Sequence, residues 1–532
     1  MILKTNWSGH NRDMKDHKDE KIKKRPRLRS GLSSREAKHF LRSKPPEFNP
    51  CPPGQIGGQY KPLNDDEVVR IYDTSIRILA EIGMGESPDI LTKQALKYGA
   101  YTTDSGRLCF PRAMVEDIVA EACKQFVFYG RDTKHDFVVG GDRVYFGTGG
   151  AAVQTLDLKT RLYRPSTLRD LYDFTRLMDT LSNVSWFTRC CVATDVTDTY
   201  DLDVNTVYAM LRGTKKPLGT SFTTGKHVAP IIDMLDWTLG GEGKFRERPF
   251  LKAHISPVIS PLRFGADAVD VALACIKRGV PINNIVAAQS GATSPATLAG
   301  MLTSTLAETL AALVMVNIFS PGYPMIFSNW PLVIDLRTGA FAGGGGEITF
   351  LNAASAQLSN WLGLPSGVAS SMADAKAVDA QMGMEKALSS LATGLAGANM
   401  VYESSGMMAS LLGASFEAFL IDDEMLSHVY RVLRGVEINE DTLGFEAIRE
   451  AVTGEGHFLG GTHTLSAMQR DHFYPALADR NEPRTWAQEG ARDIFQRAHT
   501  KVNGIFDTHH PDYLDDATDR KIRDHFNILL HV

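Results

Sequence analysis

Between Val144 and Ser405 the chain repeats one alternation eight times: a short run rich in β-branched and aromatic residues, then a longer stretch that reads as helix. The runs are VYFGT at Val144, SWFTRCCVAT at Ser185, KPLGTSF at Lys216, FLKAHISPV at Phe250, INNIVAAQS at Ile282, PMIFSNW at Pro324, a weak one near Leu364, and GANMVYESS at Gly397. They recur roughly every 30 to 45 residues, and several begin or end with Gly, Pro or Asn, as βα units do. Eight such units in succession favour closure into a barrel over an open doubly wound sheet. The expected class is therefore α/β, a (β/α)8 TIM barrel over 136–432. An N-terminal helical cap is expected over 61–135 and a C-terminal helical extension over 433–532, while 1–60 reads as a basic, disordered arm.

The 532 residues are 43% hydrophobic and 22% charged, enough apolar content to bury a large core. Lys and Arg total 57 against 62 Asp and Glu, so the whole chain has no polyanion-binding character and nucleic acid is not an expected partner. The charge is uneven, however. Residues 1–50 hold 14 Lys/Arg against 6 Asp/Glu, and Lys21 to Arg29 reads KIKKRPRLR. That run fits a solvated arm or a tether to a surface or nucleic acid. The longest charge-free apolar stretch, between Glu308 and Asp335, is broken by Asn317, Pro321, Pro324, Asn329 and Pro331, so no membrane span is expected. Six cysteines without a CxxC pair point to core thiols in a reducing cytoplasm and to no protein-bound metal. An assembly of identical subunits is expected.

In a barrel of this kind chemistry gathers at the C-terminal ends of the strands. Those ends carry Tyr145 to Gln154, Thr194 and Asp195, Ser221 to Thr224, His254 to Pro257, Gln289 and Ser290, Asn329 to Glu347, Ser370 to Lys376, and Glu403 to Ser405. The least ordinary stretch is Ser328 to Glu347, SNWPLVIDLRTGAFAGGGGE. Its four glycines, Gly343, Gly344, Gly345 and Gly346, precede a helix that Glu347 opens. They either cradle an anion on free backbone N–H groups or allow another part of the chain to approach closely. A nucleoside triphosphate loop would need Lys and then Ser/Thr where Glu347 stands. Arg337 suits bidentate pairing with a substrate carboxylate, or equally an ion pair with Asp335. Tyr323, Phe327, Trp330 and Phe341 form either core or a box for a methylated ammonium.

The stretch LGLPSGVASSMADAKAVDAQMGMEKA from Leu362, with GLAGANMVYESSGMM from Gly394, GHFLGGTHTL from Gly456 and PALADR from Pro475, resembles the trimethylamine methyltransferase family. The similarity runs from about Leu63 to the C-terminus. It implies a (β/α)8 barrel that takes a methyl group from a methylamine and gives it to Co(I) of a cobalamin on a separate corrinoid protein. The namesake enzymes carry pyrrolysine, which the resemblance places near Ser370 to Ala373. Every residue here is standard. A quaternary ammonium needs no extra activation, because loss of its methyl releases a neutral tertiary amine, so the expected substrate is glycine betaine, another betaine, carnitine or choline. The expected catalytic acids are Glu347 and Asp335. The expected substrate contacts are Tyr145, Gln154, His254, Gln289, Phe327, Trp330, Arg337 and Met372, and the expected corrinoid contacts are Gly343 to Gly346. Asp374, Lys376, Asp379 and Gln381 recur in the family-like stretch. Two other classes stay open: a barrel lyase or hydrolase with an acid/base pair, and a non-catalytic quaternary-amine binder.

Overall fold

The computed structural model describes residues 49–532, and the basic run Lys21–Arg29 lies outside them. Eight parallel strands are present where the sequence alternates: β1 (Arg143–Phe146), β2 (Phe187–Thr188), β3 (Leu218–Thr220), β4 (Leu251–Ile255), β5 (Ile282–Gln289), β6 (Met325–Leu332), β7 (Ser366–Ala369) and β8 (Met400–Tyr402). Hydrogen-bonded neighbours run β1-β8-β7-β6-β5-β4-β3-β2. Pairing of Phe146 with Val184 returns β1 to the segment that enters β2, and Thr148 Oγ1 donates to the Thr188 carbonyl at 2.6 Å. The sheet thus closes into a barrel. Even the weak seventh run pairs on both sides, Phe327 with Ser366 and Gly367 with Met400.

Each strand is followed by a helix: α1 (Leu168–Asp179), α2 (Thr199–Gly213), α3 (Gly225–Thr238), α4 (Ala266–Arg278), α5 (Leu298–Phe319), α6 (Gly346–Trp361), α7 (Ala380–Leu395) and α8 (Phe416–Arg434). Local chemistry sets their ends. Thr167 and Asp170 form a capping box at α1, the Asp379 and Ser415 side chains cap α7 and α8, and Gly279 ends α4 in the left-handed region.

Helix α5 is apolar on every side and long enough to cross a membrane by length and composition, yet most of it is buried. Its outer face is covered by the N-terminal segment, which has helices at Asp65–Arg77, Asp89–Lys97 and Arg112–Glu121 and a small hairpin between Tyr101 and Cys109. Ser75 Oγ donates to the Thr303 carbonyl at 2.8 Å, and Gln94 Nε2 to that of Ile318 at 2.7 Å. Glu308, buried on α5, accepts from Ser260 Oγ and the Leu262 N–H, both at 2.6 Å.

A hairpin, Gln125–Phe128 with Phe137–Gly140, closes the N-terminal end of the barrel with rings. Phe137 lies 4.3 Å from Tyr145 and 6.2 Å from Trp186, between ring centres. At the other end, a four-stranded sheet joins Met407–Met408, Gly413–Ala414, Gln154–Leu156 and Tyr163–Pro165 from the β1 and β8 loops. The C-terminal helix Ile494–Thr508 packs outside, on α1 and α8, where Arg176 Nη1 donates to the carbonyls of Phe506 and His509 at 3.0 and 2.9 Å. Residues Leu443–Asp471 belong to a separate compact unit, which holds the helices Phe445–Thr453 and Thr462–Arg470.

Candidate active site in the barrel lumen

Alternate residues of a strand face opposite sides, so each barrel strand sends every second side chain inward. Lys252 and His254 of β4, Asn283 of β5, Ser328 and Trp330 of β6 and Tyr402 of β8 face the lumen, with Trp186 from the entry to β2. Their contacts fix this placement: Tyr402 lies 5.3 Å from Trp186, 5.4 Å from Trp330 and 5.2 Å from His254, between ring centres. Ser328 Oγ donates to Asn283 Oδ1 at 2.5 Å, and Asn283 Nδ2 lies 3.5 Å from His254 Nδ1. Ala287 shares the inward face with Asn283 and Ile285, yet it is exposed. Solvent therefore enters the lumen from the C-terminal end of β5.

Deeper in, Lys252 Nζ lies 4.9, 5.2 and 5.1 Å from the rings of Phe128, Trp186 and Tyr402 and donates to Thr188 Oγ1 at 3.2 Å. Burial pushes its amine well below the usual lysine range. His254, 3.3 Å from Thr188 Oγ1 by Nε2, is likewise held well below the usual histidine range by burial, and by Lys252 and Arg189. Arg189 follows β2. Its guanidinium has neither hydrogen bond nor ion pair among the described residues, and burial lowers its pKa while Asp203 raises it.

Just past β8, Glu403 is 1% exposed, and its Oε2 has no hydrogen-bond partner among the described residues, like Ser405 Oγ and Trp330 Nε1. Its backbone sits at φ 67°, a left-handed conformation that costs a non-glycine residue about 1–3 kcal/mol and tends to persist at functional sites. The β1 loop lies directly on the carboxyl. A Cβ at Gly149 would fall 2.8 Å from Oε1 and one at Gly150 2.8 Å from Oε2, so a side chain at either place would have to displace the carboxyl. Burial pushes the Glu403 carboxyl up to about 8, with Lys386 pulling the other way. Lys386 itself donates to the Ser371 and Met407 carbonyls at 2.6 and 3.2 Å and pairs with Asp422 at 3.1 Å.

The residues singled out in the sequence fall into three places. His254 and Trp330 line the lumen, and Gln289 ends the inward row of β5. Tyr145 also faces inward but belongs to the closed end, against Phe137, where a Cβ at Gly54 would meet its hydroxyl; it is not a mouth residue. Phe327 alternates with Ser328 and so faces the helices instead of the lumen. Gln154 lies in the small sheet between the β1 and β8 loops, and Met372 is fully buried against Gly343. Arg337 and Asp335 stand on the β6 loop, whose Ile334 and Phe341 pair across a hairpin. The Arg337 side chain is 88% exposed, and its Nε and Nη2 reach the two Asp335 oxygens at 3.0 and 2.7 Å. Its fork is already filled, which removes the reason for reading it as a substrate clamp. The glycine stretch cradles no outside anion at its start. Asp374 accepts from the Gly343 and Gly344 N–H groups at 2.7 and 3.1 Å and from Ser410 Oγ at 2.8 Å, and Gly344 abuts Glu385. Gly346 and Glu347, in the first turn of α6, are exposed. Glu403 was only one of several polar residues at strand ends; Gly149 and Gly150, facing it across the barrel seam, were the available signal. Lys252 and Arg189 were hidden inside strand-like runs.

A profile of the family described as trimethylamine methyltransferase matches residues 31–527. The chain belongs to this family. A trimethylamine methyltransferase of Desulfitobacterium hafniense (strain DSM 10664 / DCB-2) is 29% identical over 468 residues, 87% of this chain and 92% of that protein. A glycine betaine methyltransferase of Desulfitobacterium hafniense (strain Y51) is 27% identical over 472 residues, 88% of this chain and 97% of its own length. Among solved structures, the monomethylamine methyltransferase of Methanosarcina barkeri aligns over 93% of this chain and 99% of its own, with 13% identity and a TM-score of 0.42. By its family the chain is a methyltransferase, its closed ring of eight strands is a (β/α)8 barrel, and the open end of that barrel is the candidate active site.

Proposed function

We propose that this methyltransferase takes a methyl group from a quaternary ammonium compound, with glycine betaine, another betaine, carnitine and choline as the candidates, and passes it to a corrinoid on a separate protein. The observation that carries the reading is the Trp330 ring, 9% exposed and packed on Tyr402 beside His254, in a lumen that opens at Ala287. Aromatic faces attract a cation that cannot shed its charge, by about 0.5–2 kcal/mol each as it leaves water. Neutral His254 adds no opposing charge. Arg189 at the end of β2, with no hydrogen bond or ion pair among the described residues, supplies the positive charge for a substrate carboxylate.

The rim fits a carrier protein. Val153, Leu162, Leu336 and Leu412 are exposed apolar residues on the β1, β6 and β8 loops, and such residues at one end of a barrel suit a partner surface. Glu347, Gly345, Gly346 and the Asp335–Arg337 pair belong to the same rim and are proposed to meet the carrier. When docked, the reduced corrinoid supplies the nucleophile. The chain's own residues hold the nitrogen so that one methyl points out of the lumen, and they exclude water from the path. No general base is needed, because the departing tertiary amine is neutral.

The test is formation of methylcobalamin from cob(I)alamin and each amine in turn. Product from at least one quaternary amine, with none from trimethylamine, supports the reading. Product from trimethylamine alone overturns it.

A further inference from the structure

Glu403 has no task in the proposal above, yet its setting is unusual. Three polar atoms at the ends of β6 and β8, Glu403 Oε2, Ser405 Oγ and Trp330 Nε1, are buried without a hydrogen-bond partner among the described residues, and each such atom in a native interior calls for an occupant or a role. Glu403 directly follows Tyr402, whose ring packs on Trp330. A Cβ at Gly149 or Gly150 of the β1 loop would press on the carboxyl. The nearby cation, Lys386, is saturated: its three N–H groups go to Ser371, Met407 and Asp422. An ionised Glu403 would therefore be a buried charge without a counter-charge of its own, which proteins avoid by keeping the proton.

We propose that Glu403 is the counter-ion of the bound ammonium: it holds a proton while the lumen is empty and releases it when a permanent cation settles beside it. The proposal rests on the quaternary-amine reading and adds a proton to its stoichiometry. A tetraalkyl nitrogen has no N–H to share, and choline or tetramethylammonium brings no anion of its own, so ionising the buried acid supplies the balancing charge. The titratable groups facing Glu403 are Lys386 of α7, with Asp422 of α8 behind it, Cys190 beyond β2, and Tyr402 on its own strand. Burial holds Cys190 and Tyr402 well above their usual ranges, so neither ionises near neutrality. Asp422, pushed by burial to about 6, is the rival source of a proton.

With Glu403 near 8 in the empty protein, binding at pH 7 should release about 0.9 proton per cation, and affinity should rise about tenfold per pH unit below 8 and then level off. The experiment is titration calorimetry at pH 7 in two buffers of different protonation enthalpy, using tetramethylammonium, choline and 3,3-dimethyl-1-butanol, the uncharged carbon isostere of choline. Expected is proton release with both cations and none with the isostere. Glu403→Gln should bind the cations at least tenfold more weakly at pH 8.5 and release no proton, and Asp422→Asn should release as the wild type does. Cation binding by the wild type without proton release overturns the proposal and leaves the substrate reading standing, and the wild-type measurement needs no variant to fold. Release that persists in Glu403→Gln, or vanishes only in Asp422→Asn, also overturns it. Failure of both cations, and of glycine betaine titrated alongside them, to bind removes the substrate reading itself.

Discussion

Replacing Lys386 by Met should produce a loss of stability that grows with pH. Both Lys386 and Asp422 side chains are 1% exposed, and the ammonium satisfies two carbonyls as well as the carboxylate. Asp422 is pushed by burial to about 6 even with Lys386 and the Gly406 N–H beside it. Its folded pKa lies above the unfolded value, so its contribution to stability is complete below about pH 4 and falls by roughly 3 kcal/mol as pH rises through 6. Without Lys386 the carboxyl moves higher still, and the decline continues at about 1.4 kcal/mol per pH unit beyond 6. Glu403, which Lys386 also holds down, adds to the slope. At pH 5 the variant has mainly lost hydrogen bonds to two carbonyls, about 1–3 kcal/mol. At pH 8 it carries an unpaired buried acid, about 3–5 kcal/mol in all. Thermal midpoints at pH 5 and pH 8 read this directly: the gap between variant and wild type should be wider at pH 8 by a few degrees. Equal gaps at the two pH values would refute the reasoning, and Lys386→Met combined with Asp422→Asn should narrow the pH 8 gap.

Arg337→Ala should change the affinity for glycine betaine by less than about twofold, because Asp335 already fills its fork, whereas Arg189→Ala should weaken glycine betaine about 10- to 100-fold and barely affect choline. Calorimetry decides, and the opposite ranking would return the clamp to the rim. Trp330→Ala should weaken any quaternary ammonium about 3- to 30-fold through loss of a cation–π face; unchanged binding would place the nitrogen elsewhere. Asp374→Ala strips the acceptor from Gly343, Gly344 and Ser410, so limited proteolysis should cut the loop between β6 and α6 faster than in the wild type. An unchanged cleavage rate would contradict that role.

The barrel was legible because its signal is periodic and repeated: even the Leu364 run, poor in β-branched residues, could be counted from its neighbours on either side. The site was less legible, because a position near a strand end does not say which way a side chain turns. Phe327 and Ser328 are adjacent and equally plausible in one dimension, but the pleat sends one to the helices and the other to the lumen. Arg337 fitted a clamp and an ion pair with Asp335 equally well, because one dimension does not show which way the side chain folds; the fold makes the pair. The four glycines fit two readings in one dimension; in the fold Asp374, thirty residues on, occupies the N–H groups of the first two. Glu403 gave no sequence signal by itself. Its meaning comes from Gly149 and Gly150, some 250 residues earlier, which meet it only when the first and last strands join.

Helix α5 is greasy all the way round, and the segment that covers its outer face comes earlier in the chain. A ribosome working from the N-terminus therefore makes the wrapping before the thing to be wrapped. Deleting the first hundred or so residues would leave the ring cluster and the acid intact on paper, yet it would bare the outer face of a 22-residue apolar helix to water, where clumping or capture by a lipid bilayer competes with closure of the barrel.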